Sequence, residues 1–407
     1  MSSDKALRDI ALSFDLEQLP SDFIEDPYPY YRALRELDPV HCCPDGSFLL
    51  TRYADLATAY RRPEFISDKK ALFRPKFGDG PLYRHHTTSL VFNDPPYHTR
   101  VRSLIAGALK PQAVKAMESP LISLVDKLLD KIEAKGSFDL IEDYAAQIPI
   151  EIIGNLLRVP REERGPLRGW SLLILGALEP RISDEALGAG NRAVDDFCEY
   201  LKGLVAERRK NLSDDVGDIL SRLIIGEADG TRLSEEELLQ NCIFLLNAGH
   251  ETTTNLIGNG IHCLLTHPAE LERLKREPEL IKPTVEEVLR YESSNQLGNR
   301  MVSEDTELGG MSMPAGTQVT LCIGAANRDP AQFPDPERFD ISRTPNNHFA
   351  FATGRHACVG MPLARLEGRV AISKMIGRFP QLHLAGTAVR QPRARFRGFK
   401  SVPLQIS

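Results

Sequence analysis

The stretch His348–Glu367, HFAFATGRHACVGMPLARLE, places one cysteine, Cys358, behind Gly354 and His356 and ahead of Gly360 and a helical run. A metal-bound thiol is deprotonated despite a free pKa of about 8.5, so its sulfur becomes an anionic electron donor. Gly354 and Gly360 let the backbone pass close beneath a flat macrocycle, where a Cβ would collide. Cys358 therefore reads as the thiolate ligand of a haem iron, a donor that favours O–O cleavage in bound oxygen.

The totals set the frame around this loop. With 407 residues, 42% hydrophobic and 26% charged, the chain can bury a large core, and a net charge of −6 gives no case for nucleic acid. The first twenty residues carry Asp4, Lys5, Arg8, Asp9, Asp15 and Glu17, so they lack the apolar core of a signal peptide or membrane anchor. A cytoplasmic protein with no membrane contact is the expectation. The seven cysteines show no paired metal spacing, and six of them read as plain buried thiols. Cys42 and Cys43, adjacent in an expected strand, should face opposite ways.

The loop resembles the cysteine loop of cytochrome P-450, the haem-thiolate monooxygenases. Phe351, Gly354, His356, Cys358 and Gly360 fill that family's pattern, while Ala352 stands where glycine is usual, a change that bears on the local turn. The resemblance implies a mainly α protein with a small β-rich region, the cytochrome P-450 fold with its triangular helical prism. It also implies haem b, iron protoporphyrin IX, as cofactor.

In chain order, residues 1–25 read as an irregular, mobile arm, and residues 26–407 as a single domain. A helix is expected over 26–37, and Pro39–Arg52 alternates around Asp45-Gly46 as a hairpin. The Gly-, Pro- and His-rich text from Phe73 to Leu90 reads as a loop over a pocket. A helix then starts after Pro95 and Pro96 and sets His98 and Arg102 four apart on one face. By resemblance these two bind a haem propionate. Helical patterns fill 111–210, and the apolar stretch 170–183 is either core or lid.

From Leu233 the sequence LSEEELLQNCIFLLNAGHETTTNLIGNGIHCLLTHP reads as one helix of about 50 Å. Ser234 and Glu237 form a capping box, and Pro268 ends the run. Its apolar flanks imply burial, so the polar centre needs a function. Ala248 and Gly249 remove bulk, and Thr252 offers a hydroxyl that can bond back to a carbonyl. Glu251, about 100° around the helix, suits a carboxylate that exchanges protons with water and hands them inward. Ala248, Gly249, His250, Glu251 and Thr252 match the family's oxygen-activation pattern. His250 reads as a polar neighbour, and Asn247 as a partner for either a substrate or Glu251.

Further along, Glu287 and Arg290 lie three apart on a helix, and the resemblance joins them to Arg338 of PDPERFD in a buried structural network. The segment 293–319 reads as strands around Gly309-Gly310, with Arg300 and His356 as further propionate partners by resemblance. His348 reads as structural, and the last residues return as strand and turn, where Arg395 and Phe396 could reach the pocket. Candidate pocket residues are Tyr83–Phe92, Leu172–Leu175, Phe244, Asn247, Ala248, Asn295, Gln296, Leu297, Arg395 and Phe396. This lining suggests a hydrophobic molecule with a polar handle, with terpenoid, aromatic acid, steroid and fatty acid all open.

The function implied is insertion of one oxygen atom from O2 into a hydrophobic small molecule, with Glu251 and Thr252 delivering protons. No dinucleotide fingerprint or iron–sulfur cysteine set occurs, so electrons come from another protein. By family analogy that is a ferredoxin with its reductase. Arg100, Lys110, Arg355 and Arg365 either steer such an acidic partner or are solvated surface charges. The alternatives are a haem-thiolate sensor or binding protein without turnover, and a variant that uses peroxide or isomerises its substrate.

Overall fold

The computed structural model describes residues 2–210, 219–225, 227–228 and 231–406. It is 58% helix and 10% strand, which makes the chain mainly α with small sheets. Among the described residues no helix is long and apolar enough to cross a membrane. The chain divides into two compact units, one of residues 2–67, 255–358 and 375–406, the other of residues 68–254 and 359–374.

The first unit holds the main sheet. Asp45 accepts from the Ser47 amide at 2.9 Å and Gly46 has φ +81°, so the chain reverses there and Val40–Cys42 pairs antiparallel with Phe48–Leu50. Phe48–Leu50 in turn runs parallel to Gln318–Cys322, followed by Leu297–Val302 and then Phe65–Ile66. Val40, Phe48, Leu50, Val319 and Leu321 are buried in one apolar cluster on one face of the sheet, and Leu49, on the alternate face, is buried in another. Cys42 is exposed and Cys43 buried, as the alternation demands. A second hairpin, Thr306–Leu308 with Met311–Met313, turns at Gly309 and Gly310.

Two expectations change here. The first residues are not an irregular arm, because Ser2–Ser13 is a helix and Ala11, Phe14 and Phe23 sit in an apolar cluster with Tyr31, Leu34 and Leu49. Nor does Arg338 complete the Glu287 network with its side chain. Arg290 donates Nε and Nη2 to the two Glu287 oxygens, each at 2.8 Å, and both residues are fully buried. The second arginine on Glu287 is Arg343, while Arg338 is exposed and offers only its carbonyl oxygen to Arg290 and Arg343.

The second unit is helical. Residues 73–90 are helical rather than a loop: Lys70–Phe77 carries Pro75 inside it, and Pro81–Thr88 begins on a proline after Gly80. The latter helix docks on Asp184–Lys210, where the Leu82 amide donates to Asn191 Oδ1 at 2.9 Å. Glycine and proline punctuation hid two helices of eight residues each. The long helix spans Glu235–Thr266, and its capping box is formed by Ser234 N to Glu237 Oε2 at 2.8 Å and Glu237 N to Ser234 Oγ at 3.1 Å.

Candidate active site

In the first unit the chain leading to Cys358 is tied down at four consecutive residues. Asn346 Nδ2 donates to Glu287 Oε2 at 3.1 Å, and the Tyr53 hydroxyl donates to Asn347 O at 2.7 Å. His348 Nε2 lies 3.2 Å from Glu286 Oε2, and the Phe349 amide donates to Asn327 Oδ1 at 2.7 Å. Beyond this anchor the chain turns, with the Ala352 amide on Phe349 O at 2.8 Å and the Cys358 amide on Phe351 O at 2.9 Å. Ala352 itself adopts φ +53°, the left-handed conformation for which glycine is the usual choice. Gly354 has φ +71°, and a Cβ there would lie 3.2 Å from Tyr60 O. Of the seven cysteines, only Cys42 and Cys358 are exposed.

Cationic and donor groups stand on the same unit. His356 Nε2 is 3.1 Å from Ser67 Oγ, and Arg300 Nη1 donates to Asn299 O at 2.9 Å. The Arg300 guanidinium lies 5.3 Å from the centroid of Tyr60, the residue whose carbonyl faces Gly354. Tyr60 thus brings Arg300 and the cysteine loop to one place. Neither Tyr60 nor Ser67 carried a sequence signal, since both act across more than 200 residues.

In the second unit, His98 is buried and Arg102 half-buried on the helix Tyr97–Ala108. Arg100, a residue considered for partner steering, pairs with Glu237 at 2.5 Å. On the long helix Phe244 and Thr252 are half-buried and Ala248 is exposed, whereas Ile243, Leu246, Asn247, His250, Glu251 and Thr253 are buried. Positions 244, 248 and 252 lie four apart, so they form an open stripe along the middle of the helix, with half-buried Gly249 beside it. Thr252 Oγ1 donates to Ala248 O at 2.7 Å along that stripe. Gly249, half-buried beside Ala248, also lies close to the helix Gln147–Leu156: a Cβ there would come 2.6 Å from Ile153 Cδ1, the end of a side chain that would have to turn aside.

Glu251 is 1% exposed, so its carboxyl is closed off rather than open to water. Burial, with Arg168 as a lesser cause, depresses the His250 pKa to about 3 and keeps its ring neutral. Both amide atoms of Asn247 are buried without a partner, which excludes its expected bond to Glu251. Gln296 and Leu297 are core residues rather than pocket lining: Leu297 belongs to the cluster of Tyr31 and Leu34, and Gln296 packs against Gly324 while donating to Ser293 O at 2.7 Å. Phe396 is buried and bridges Asn295. Arg395 donates to Leu297 O at 2.6 Å, and Phe92 is half-buried.

These features suit a haem. In the first unit, an exposed thiol on a braced turn is a ligand that a haem iron would accept, and Arg300 and His356 are donors that would match its carboxylates; in the second, small Ala248 leaves its stretch of helix without side-chain bulk. Among the described residues no cluster of His, Cys, Asp or Glu could hold a bare metal ion.

The sequence model of the cytochrome P450 family matches residues 179–404. The chain is 36% identical over 392 residues to the biotin biosynthesis cytochrome P450 of Bacillus subtilis (strain 168), covering 94% of this chain and 97% of that one. The chain belongs to the cytochrome P450 family. Another P450 relative, the vitamin D(3) 25-hydroxylase of Pseudonocardia autotrophica, is 40% identical over 369 residues, 89% of each chain. The crystal structure of P450BioI with an acyl carrier protein ligated to hexadec-9Z-enoic acid superposes with a TM-score of 0.90 at 35% identity, covering 95% of this chain and all of that one. The P450 fold, haem b and an oxygen-incorporating oxidoreductase activity on hydrophobic substrates follow for this chain.

Proposed function

We propose that this P450 monooxygenase draws its electrons from a ferredoxin-type protein and its reductase, that Cys358 holds the iron, and that Glu251 and Thr252 move the protons. When bound, the haem supplies oxygen activation and electron acceptance; the chain supplies position, charge and protons. The exposed Cys358 sulfur, on a turn braced by Glu287, Tyr53, Glu286 and Asn327, is the observation that carries this reading.

His98, Arg102, Arg300 and His356 are the propionate partners in this reading, and charge-assisted bonds of that kind are about twice as strong as neutral ones. Ala248 and Gly360 keep side-chain bulk away from the group. Thr252 Oγ1 holds its proton toward Ala248 O at 2.7 Å and presents it to the open stripe by rotating about its Cβ–Oγ1 bond. Glu251, buried beside it, resupplies that hydroxyl from the covered side of the helix. Phe244 and the unpartnered Asn247 amide contact an apolar substrate bearing one hydrogen-bonding group, with Phe92, Asn295 and Phe396 as further lining. Relatives that handle vitamin D(3) or were crystallised with a hexadecenoic acyl chain favour an extended substrate over a compact aromatic acid.

The test is the absorption spectrum of purified, dithionite-reduced protein under carbon monoxide, for wild type and Cys358→His. A strongly red-shifted Soret band in wild type, absent from the variant, is expected. A histidine-type carbonyl spectrum in freshly purified wild type would overturn the assignment of Cys358. NADH-dependent product formation with a surrogate ferredoxin and reductase, set against turnover with peroxide alone, tests the electron source.

A further inference from the structure

We propose that His348 is a positioning residue for the thiolate, acting on Cys358 through a relay that begins at Glu286; the proposal rests on the reading of Cys358 as the iron ligand. The Ala350 amide donates to His348 Nδ1 at 3.3 Å, so in the neutral ring the proton sits on Nε2, which faces Glu286 Oε2 at 3.2 Å. The ring is almost fully covered, with its side chain 3% exposed. A histidine used at both nitrogens has one orientation available. It therefore fixes the Ala350 amide relative to the helix Ile281–Tyr291, on which Glu286 stands.

The consequence lies one residue on. Phe351, which follows Ala350 directly, supplies the carbonyl that accepts the Cys358 amide at 2.9 Å. The intervening turn is closed by the Ala352 amide on Phe349 O at 2.8 Å, and the Phe351 ring lies 6.1 Å from the His348 ring. Each step from Glu286 to Cys358 is a hydrogen bond or a single peptide link, so a shift of His348 moves the acceptor of the cysteine's own amide. Adjacent carboxylates divide the work on this helix: Glu287 binds Arg290, Arg343 and Asn346, and Glu286 addresses the loop through His348.

The experiment compares wild type with His348→Leu, His348→Asn and Leu201→Ala in the haem-loaded, full-length protein. Asparagine keeps an acceptor near the Nδ1 position, whereas Leu201→Ala truncates a fully buried core residue of the other unit and calibrates what lost stability does alone. The readouts are the share of the red-shifted carbonyl Soret band, the reduction potential and the urea unfolding midpoint. His348→Leu should lower the red-shifted share at least twofold and shift the potential, and His348→Asn should restore most of both. Leu201→Ala should lower the midpoint and leave share and potential unchanged. An unchanged share in His348→Leu, or a loss no greater than in Leu201→Ala at equal distance from the midpoint, overturns the relay alone. A wild type without the red-shifted band overturns the Cys358 reading and the relay with it.

Discussion

Both carboxylate oxygens of Glu287 lie 3.2 Å from Nε of Arg343, whereas Arg338, five residues earlier, reaches this network only through its carbonyl oxygen. Arg343 also donates to the Pro334 and Asp335 carbonyls and has a side chain only 9% exposed. Hydrogen bonds to charged groups are worth about 1.5–3 kcal/mol each, and a stranded buried acceptor adds to the loss. Arg343→Met should therefore cost about 2–3 kcal/mol in urea denaturation. Arg338→Ala should stay within about 0.5 kcal/mol, as exposed positions do. The reverse order would return Arg338 to the network.

What was legible in the chain was local. The Cys358 loop, the Ser234–Glu237 cap, the Asp45-Gly46 turn and the Thr252 back-bond all depend on residues within a few positions of one another, and each is found. What was missed acts across the chain. Arg338 and Arg343 look alike in sequence, and only the path of the backbone decides which one reaches Glu287. Leu297 and Gln296 read as pocket lining, yet Leu297 packs in the cluster of Tyr31 and Gln296 lies against Gly324. Gly249 reads as room for a ligand, and only the fold shows that Ile153 also packs close to it.

Ala352 is strained where the family usually has glycine. The left-handed conformation costs an L-residue roughly 1–2 kcal/mol, while glycine gives back about 0.4–1 kcal/mol through the entropy of the unfolded chain. Ala352→Gly should stabilise the protein by up to about 1 kcal/mol. Ala352→Val should cost about 1 kcal/mol or more, since a β-branched residue is an outlier at positive φ. Urea midpoints in the order Gly, Ala, Val check this. A midpoint for the Gly variant well below wild type would place the strain elsewhere.

Two buried carboxyls give the stability profile opposite slopes. Burial pushes Glu292 up, but Arg397, Arg390 and Arg328 together outweigh it and hold the group at about 2, below its ordinary 4.5. Its folded pKa is depressed, so its contribution is fully present above pH 4.5 and is lost as pH falls toward 2. Glu367 has a buried Oε2 without a partner, and burial alone pushes its carboxyl up to about 8. There the folded state holds the extra proton, so stability is greatest below pH 4.5 and declines as pH rises toward 8. Glu292→Gln should flatten the acid limb, and Glu367→Gln the alkaline one, in unfolding free energies measured against pH. An unchanged slope in either variant would show that the group does not titrate as its surroundings dictate.

Thr252 lets stability and chemistry be separated at one atom. Its hydroxyl bonds back to Ala248 O at 2.7 Å, an arrangement that weakens rather than strengthens a helix, and threonine is a poorer helix former than alanine. Thr252→Ala should thus leave the unfolding midpoint level or raise it by a few tenths of a kcal/mol. The same change removes the only hydroxyl on the open stripe formed by Phe244, Ala248 and Thr252. If that hydroxyl relays protons, product formed per NADH consumed should fall about a hundredfold or more, the lower end of the roughly hundredfold to ten-thousandfold that a positioned proton donor contributes. Substrate affinity by spin-state titration should hold, and Thr252→Ser should keep most of the coupling. Glu251→Gln, which preserves shape but cannot release a proton, should slow turnover with a larger solvent isotope effect. Full coupling in Thr252→Ala would assign the protons to a different route and leave the hydroxyl only its bond to Ala248.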